Sequence, residues 1–193
     1  MDTPCAERRS PAGQRPGVLM RTPEYGFAPV YSRSARILVL GSMPGEASLR
    51  QQQYYAHPRN AFWPIMAELL AMDAGLDYRS RLDFLRSRQI ALWDVLAECV
   101  RPGSLDSAIR RETIRVNDFS TLLGDCPDIG RIVFNGQTAA RFWRLHVRPG
   151  LDTALADIDC RVLPSTSPAH AALSREQKLN AWREALCDLT GRT

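Results

Sequence analysis

The chain has 193 residues, of which 45% are hydrophobic and 24% charged, with a formal net charge of +4. These proportions suit a globular protein with its own core, and no apolar run approaches the ~20 residues of a membrane span. Met1 to Gly17 contains no apolar h-region, so no signal peptide is expected and the protein is expected inside the cell.

The five cysteines, Cys5, Cys99, Cys126, Cys160 and Cys187, are widely spaced. No CxxC pair and no Cys-His ligand spacing occurs, so neither zinc nor an iron–sulfur cluster is expected. Of the 25 basic residues only Lys178 is lysine. The planar arginine fork suits phosphate, although a GC-rich genome also raises arginine. The charge therefore permits a nucleic-acid partner without demanding one.

Residues 1–24 are expected to be a disordered extension, since Met1 to Thr22 is rich in Arg, Pro, Gly and Ser and has no periodicity. Met20 is a second candidate start of translation. Residues 25–193 are expected to form one domain. Arg36 to Leu40 reads as a buried strand, followed by a long loop from Gly41 to Asn60. The loop opens with Gly41-Ser42-Met43-Pro44-Gly45, whose glycines and proline allow a sharp turn and close approach to a ligand. Ligands of open α/β sheets sit beyond the carboxyl ends of the strands, so this loop nominates a site.

A helix is predicted from Ala61 to Met72 with Asn60 as N-cap, and another over Arg79 to Arg88. Ile90 to Trp93 is a second strand, and Asp94 to Val100 leads from it. Leu105 to Thr113 has the makings of a short helix, and Asn117 of a cap for a turn to Leu123. Arg131 to Phe134 is a third strand, turned by Asn135-Gly136 into a helix over Gln137 to Leu145. Arg161 to Leu163 is a fourth strand and Pro164 to Ala169 a loop. The last helix, Ser174 to Leu189, opens with Ser174 and Gln177 at capping-box spacing and repeats Leu179, Trp182, Leu186 and Leu189 on one face. Four strand–helix alternations favour an α/β fold with a parallel sheet covered on both faces.

These segments together resemble the uracil-DNA glycosylase superfamily, most nearly its hypoxanthine-DNA (deoxyinosine) glycosylase branch. Gly41 to Gly45 stands where that superfamily has its first motif. Tyr55-Ala56-His57-Pro58-Arg59-Asn60-Ala61-Phe62-Trp63 is similar to a segment of mismatch-type and hypoxanthine-type members. Trp93-Asp94-Val95-Leu96, Phe134-Asn135-Gly136 and Leu163-Pro164-Ser165-Thr166-Ser167-Pro168-Ala169 match later blocks, so the likeness runs from about Gly26 to Leu189.

The resemblance implies a three-layer α/β/α sandwich around a four-stranded parallel sheet. It implies a monofunctional enzyme that flips a deaminated base out of DNA and hydrolyses its N-glycosidic bond, leaving an abasic site. Hypoxanthine is the leading base and uracil a second candidate. No cofactor or metal is implied. The implied partner is DNA containing deaminated bases, with no membrane, a monomeric state, and a cytoplasmic, nucleoid-associated place in a bacterium.

The resemblance also assigns residues. Gly41, Ser42, Met43 and Gly45 shape the base pocket, the amides of Ser42, Met43 and Gly45 facing the leaving base; a plain connecting turn is the other reading. Tyr55 stacks on the base, or packs the loop. His57 contacts base or phosphate, or is structural. Met43 stands where many relatives carry the water-positioning Asp or Asn, so the catalytic role falls to Asn60, for which helix capping is the alternative and compatible reading. Ser165, Thr166, Ser167 and Pro168 form a DNA-binding loop, with no obvious wedge side chain at Ala169. Arg59 and Arg175 reach the DNA backbone or stay solvated. Asn135 is read as structural.

Asp94 stands about where uracil-specific relatives carry a base-reading Asn, which counts against uracil specificity. The histidine those relatives carry near Ser165 is missing, and His170 is no substitute. Lys178 falls in the final helix, which argues against a lysine-based lyase. A second reading is a non-catalytic DNA- or nucleobase-binding module of the same fold, and a third a nucleoside hydrolase.

Overall fold

In the computed structural model the described residues are 22–156 and 158–186, the side chains of 154 and 156 excepted. Residues 1–21, with Cys5 and Met20, and Cys187 and Leu189 lie outside them. In chain order the elements are β1 (Glu24–Tyr25), β2 (Ile37–Gly41), α1 (Glu46–Gln51), α2 (Phe62–Leu70), α3 (Tyr78–Ser87), β3 (Ile90–Asp94), β4 (Leu96–Cys99), β5 (Arg115–Val116), α4 (Phe119–Asp125), β6 (Arg131–Asn135), α5 (Gln137–Phe142), α6 (Thr153–Ala156), β7 (Asp159–Leu163) and α7 (Arg175–Leu186).

The apolar runs of β2 and β3 are buried along their whole length, as strands covered on both faces must be. They join β6 and β7 in a parallel sheet of order β3-β2-β6-β7. The step from β2 to β3 runs one way across the sheet and the step from β6 to β7 the other. Right-handed crossovers then place the intervening helices on opposite faces, giving the three α/β/α layers that the sequence implies. The aromatic contacts follow this division. Phe62 of α2 meets Trp182 of α7 edge to face at 5.9 Å. Elsewhere Trp143 contacts Phe119 of α4 at 4.8 Å and Phe134 of β6 at 5.8 Å.

β3 ends the ladder, yet its outer edge is covered. Val30 and Leu92 exchange backbone hydrogen bonds of 2.9 and 2.8 Å across it. Past Val95 the chain leaves the parallel sheet and continues as β4, the middle of a small antiparallel sheet of order β1-β4-β5.

Several local expectations are corrected. The long loop contains α1, too short to show a helical repeat. The region from Leu105 to Thr113 is two separate 3-10 turns, at Asp106–Ala108 and Arg111–Thr113. Asp118, not Asn117, caps α4, accepting from the Thr121 amide at 3.0 Å. The first long helix begins at Phe62 after Ala61, and the helix after β6 widens into a π turn over Trp143–Val147. The capping box at Ser174 and Gln177 is formed both ways, at 3.2 and 2.9 Å.

Trp182 is fully buried and its Nε1 donates to the Pro164 carbonyl at 3.1 Å. Trp182→Ala is expected to cost about 3–5 kcal/mol, read as a fall in the urea midpoint.

Candidate active site

The carboxyl ends of the strands are level. Gly41 pairs with Asp94, and Asn135 with Leu163. The chain's direction across the sheet reverses at β2, so the ends of β2 and β6 flank a topological switch point. A cleft of about 1100 Å³ opens there. Its lining includes Gly41, Ser42, Met43, Gly45, Tyr55, His57, Asn60, Ser165, Thr166, Ser167 and Pro168, which the fold brings together from three segments. Arg59, Asp94, Asn135 and His170 also line it. Arg175 instead pairs with Glu68 at 3.1 Å.

The 41–45 loop is fixed from the side and from below. The Gly41 and Ser42 carbonyls accept from the Val95 and Leu96 amides at 2.9 and 3.0 Å. Ser42 Oγ donates to Asp106 Oδ2 at 2.7 Å. Arg101, 3% exposed, donates to the Pro44 carbonyl, pairs with Glu24 at 2.8 Å, and lies 3.7 Å from Asp106. The Met43 side chain is buried in the core. What the loop leaves to the cleft is backbone: the amides of Ser42, Met43 and Gly45 donate to no described residue.

The next segment turns around two tyrosines. Tyr54 is buried, and its carbonyl accepts from Trp63 Nε1 at 2.9 Å. Tyr55 has a left-handed backbone, φ 55°, which turns its ring against Phe62 with centroids 4.0 Å apart and planes at 28°. His57 closes the following turn: its carbonyl accepts from the Asn60 amide at 2.8 Å and its Nδ1 from the Arg59 amide at 3.1 Å. Asn60 Oδ1 accepts from the Phe62 amide at 3.0 Å, so the side chain supports the start of α2 from one position before the assigned cap.

The 164–169 loop is held from several sides, and the Ala61 amide donates to the Thr166 carbonyl at 3.0 Å. Asn135 and Thr166 bond reciprocally, Nδ2 to Oγ1 and the Thr166 amide to Oδ1, both at 2.8 Å. Trp182 holds the Pro164 carbonyl. Lys178 Nζ donates to the His170 carbonyl at 2.7 Å, and burial lowers the pKa of its ammonium. Thr166 is 1% exposed. Its hydroxyl faces Asn135, and the half-buried Ser165 and Ser167 hydroxyls accept from the Ser167 and Ala169 amides, both at 3.2 Å. Gly136, at φ 106°, takes a conformation that excludes most side chains, and a Cβ there would stand 3.0 Å from Ser165 Cβ.

Asp94 is the feature that sequence reasoning undervalued. It is 3% exposed, its Oδ2 has no hydrogen-bond partner, and its backbone carbonyl accepts from Asn117 Nδ2 at 2.8 Å. Burial, then the neighbouring Asp106, push its carboxyl up to about 7, with Arg101 opposing. An acid residue closing a wholly apolar buried strand was the available signal. Among the described residues, no group of three or more His, Cys, Asp or Glu is placed to hold a metal ion, and no helix is long and apolar enough to cross a membrane.

The sequence profile of the Uracil DNA glycosylase superfamily matches residues 28–190. The chain belongs to the uracil-DNA glycosylase superfamily. It is 34% identical over 161 residues to a protein of Methanosarcina barkeri named Hypoxanthine DNA glycosylase, covering 83% of this chain and 96% of that one. A protein of the same name from Methanosarcina acetivorans is 36% identical over 154 residues, covering 79% and 92%. A solution NMR structure from Methanosarcina acetivorans, provisionally named a uracil DNA glycosylase, superposes with a TM-score of 0.73 at 33% identity, covering 88% of this chain and all of that one.

Two outcomes are expected. The raised Asp94 carboxyl keeps a proton in the folded state that the unfolded chain has already released. Wild-type stability should therefore fall as pH rises from about 4 to about 7, and Asp94→Asn should lack this fall. Urea midpoints of both proteins across that window check it. Arg101→Ala leaves Glu24 and Asp106 without their buried cation, and is expected to cost about 3–5 kcal/mol in the same assay.

Proposed function

We propose that this DNA glycosylase acts on hypoxanthine, flipping the base into the cleft and hydrolysing its N-glycosidic bond to leave an abasic site, with uracil as a secondary substrate. The observation that carries the reading is the convergence, in one cleft, of an aromatic ring, a side-chain amide and three unengaged backbone amides. The two relatives named for hypoxanthine support the choice of base.

Each group takes one task. Phe62 covers one face of Tyr55, so a flipped base stacks on the other. Such stacking is worth about 1–3 kcal/mol per base. Negative charge develops on the departing base as the bond breaks, and the amides of Ser42, Met43 and Gly45 are fixed donors for it. Gly41 leaves room for the Asp94 carboxyl beside the base, and His57 stands at the rim against base or phosphate. Asn60 Oδ1 uses one lone pair on the Phe62 amide. Its second lone pair and its NH₂ group, which has no described partner, orient the attacking water. A dissociative reaction needs a well-placed water more than a strong base. Ser165, Ser167 and Pro168 meet the opened duplex, with Thr166 holding their loop in place. The site asks for no cofactor, and the enzyme works as a monomer on chromosomal DNA.

The test is incubation with labelled duplexes carrying deoxyinosine or deoxyuridine, followed by alkali to cut abasic sites. Deoxyinosine should be excised, and faster than deoxyuridine. Binding without excision of any duplex would favour the non-catalytic module. Asn60→Ala is expected to slow single-turnover excision by about 10²–10⁴-fold while the protein still folds; undiminished excision would remove Asn60 from the reaction.

A further inference from the structure

Four buried side-chain atoms among the described residues have no hydrogen-bond partner. Two belong to Arg101, inside its ion-pair cluster beneath the 41–45 loop. The other two, Asp94 Oδ2 and Tyr55 Oη, belong to residues that line the cleft and flank Gly41. A Cβ on Gly41 would overlap Asp94 Oδ1 and stand 3.2 Å from Tyr55 Oη. The bare glycine thus leaves a carboxyl group at the cleft floor, at the level of the loop amides. A buried polar atom without a partner costs about 1–3 kcal/mol. Oδ2 is closed off from the cleft, so Oδ1, the oxygen beside Gly41, is the one that a ligand in the cleft would meet.

We propose that Asp94 is a general acid that protonates a ring nitrogen of the departing purine. This rests on the glycosylase reading above and adds a residue and a proton to it. The proton leaves the Asp94 carboxyl for the purine nitrogen as the bond between N9 and C1′ breaks, its electron pair going to the base. The base departs neutral. The water oxygen positioned by Asn60 bonds to C1′ and releases its proton to solvent, and solvent reprotonates Asp94. A purine has a basic ring nitrogen remote from the glycosidic bond. Uracil has none, because N1 carries the sugar and N3 its own hydrogen. The acid therefore serves hypoxanthine and not uracil.

The surroundings keep the group in its acid form near neutrality. Tyr54 and Tyr55 face it from the turn before α2, Tyr78 from α3, and Arg101 and Asp106 from the segment after β4. Arg101 is the one cation among these, and it is already engaged with Glu24 and Asp106. Burial and Asp106 outweigh it, so the carboxyl titrates at about 7.

The experiment is single-turnover excision of deoxyinosine from a duplex by the full chain, wild type and Asp94→Asn, from about pH 5 to about pH 9. The wild-type rate should fall roughly tenfold per pH unit above about 7. The variant should be about 10²–10⁴-fold slower at low pH and show no such fall. It should bind a duplex carrying non-cleavable 2′-fluoro-deoxyinosine within about threefold of wild type, and lose less on deoxyuridine than on deoxyinosine. A wild-type rate that does not fall above neutrality overturns the proposal whether or not the variant folds. So does a variant that keeps the wild-type rate, keeps the alkaline fall, or loses duplex affinity by the same factor as rate. A wild type that excises nothing from any duplex overturns the glycosylase reading itself, and this proposal with it.

Discussion

The site depends on the absence of one side chain. Position 41 ends a central strand directly beside Asp94 on the neighbouring strand, and the space a Cβ would take is already filled by a carboxyl oxygen. Any other residue would force the Asp94 carboxyl out of its place beside the loop. Parallel pairing makes this contact possible, because it brings the carboxyl ends of all four strands out on one side. Strand register and carboxyl position are therefore one constraint.

Buried cations then fix the cleft walls. Arg101 reaches β1, the 41–45 loop and the turn at Asp106 from one guanidinium, a task suited to a planar group with five donors. Lys178 holds a single carbonyl on the opposite wall. Each charge is costly to desolvate, and each is placed where the backbone offers no regular pairing. Rigid walls suit the proposed use of backbone amides as donors, since such donors act by being already oriented when charge appears.

Much of this was legible beforehand. Ile37 to Leu40 and Ile90 to Trp93 are short and wholly apolar, which in a chain alternating with helices means a covered parallel strand. The last helix announced itself through Ser174, Gln177 and its apolar face. What escaped were elements made by distant partners. β1, β4 and β5 are two to four residues long and exist because they pair with one another. α1 spans six residues, too few for a period. The reciprocal bonds of Asn135 and Thr166 join residues 31 positions apart. Asp94 was noticed for what it replaces, because a lone aspartate gives no sign of its burial or of its unpaired oxygen. Asn60 sits one position before the Ala61 cap, and its bond to the Phe62 amide ties the cleft lining to the start of α2.

The two edges of the parallel sheet are treated differently. Val30 seals the β3 side, whereas Cys160, Arg161 and Val162 of β7 stay exposed. An open parallel edge is a template for another chain to add a strand. Here Asp159 is paired with Arg131 and Arg161, both at 2.9 Å, so a cluster of charge sits at the start of that edge. An incoming apolar strand would have to strip water from those ions to dock. The Asp159–Arg131 pair that ties β7 to β6 thus also puts a desolvation cost on such docking.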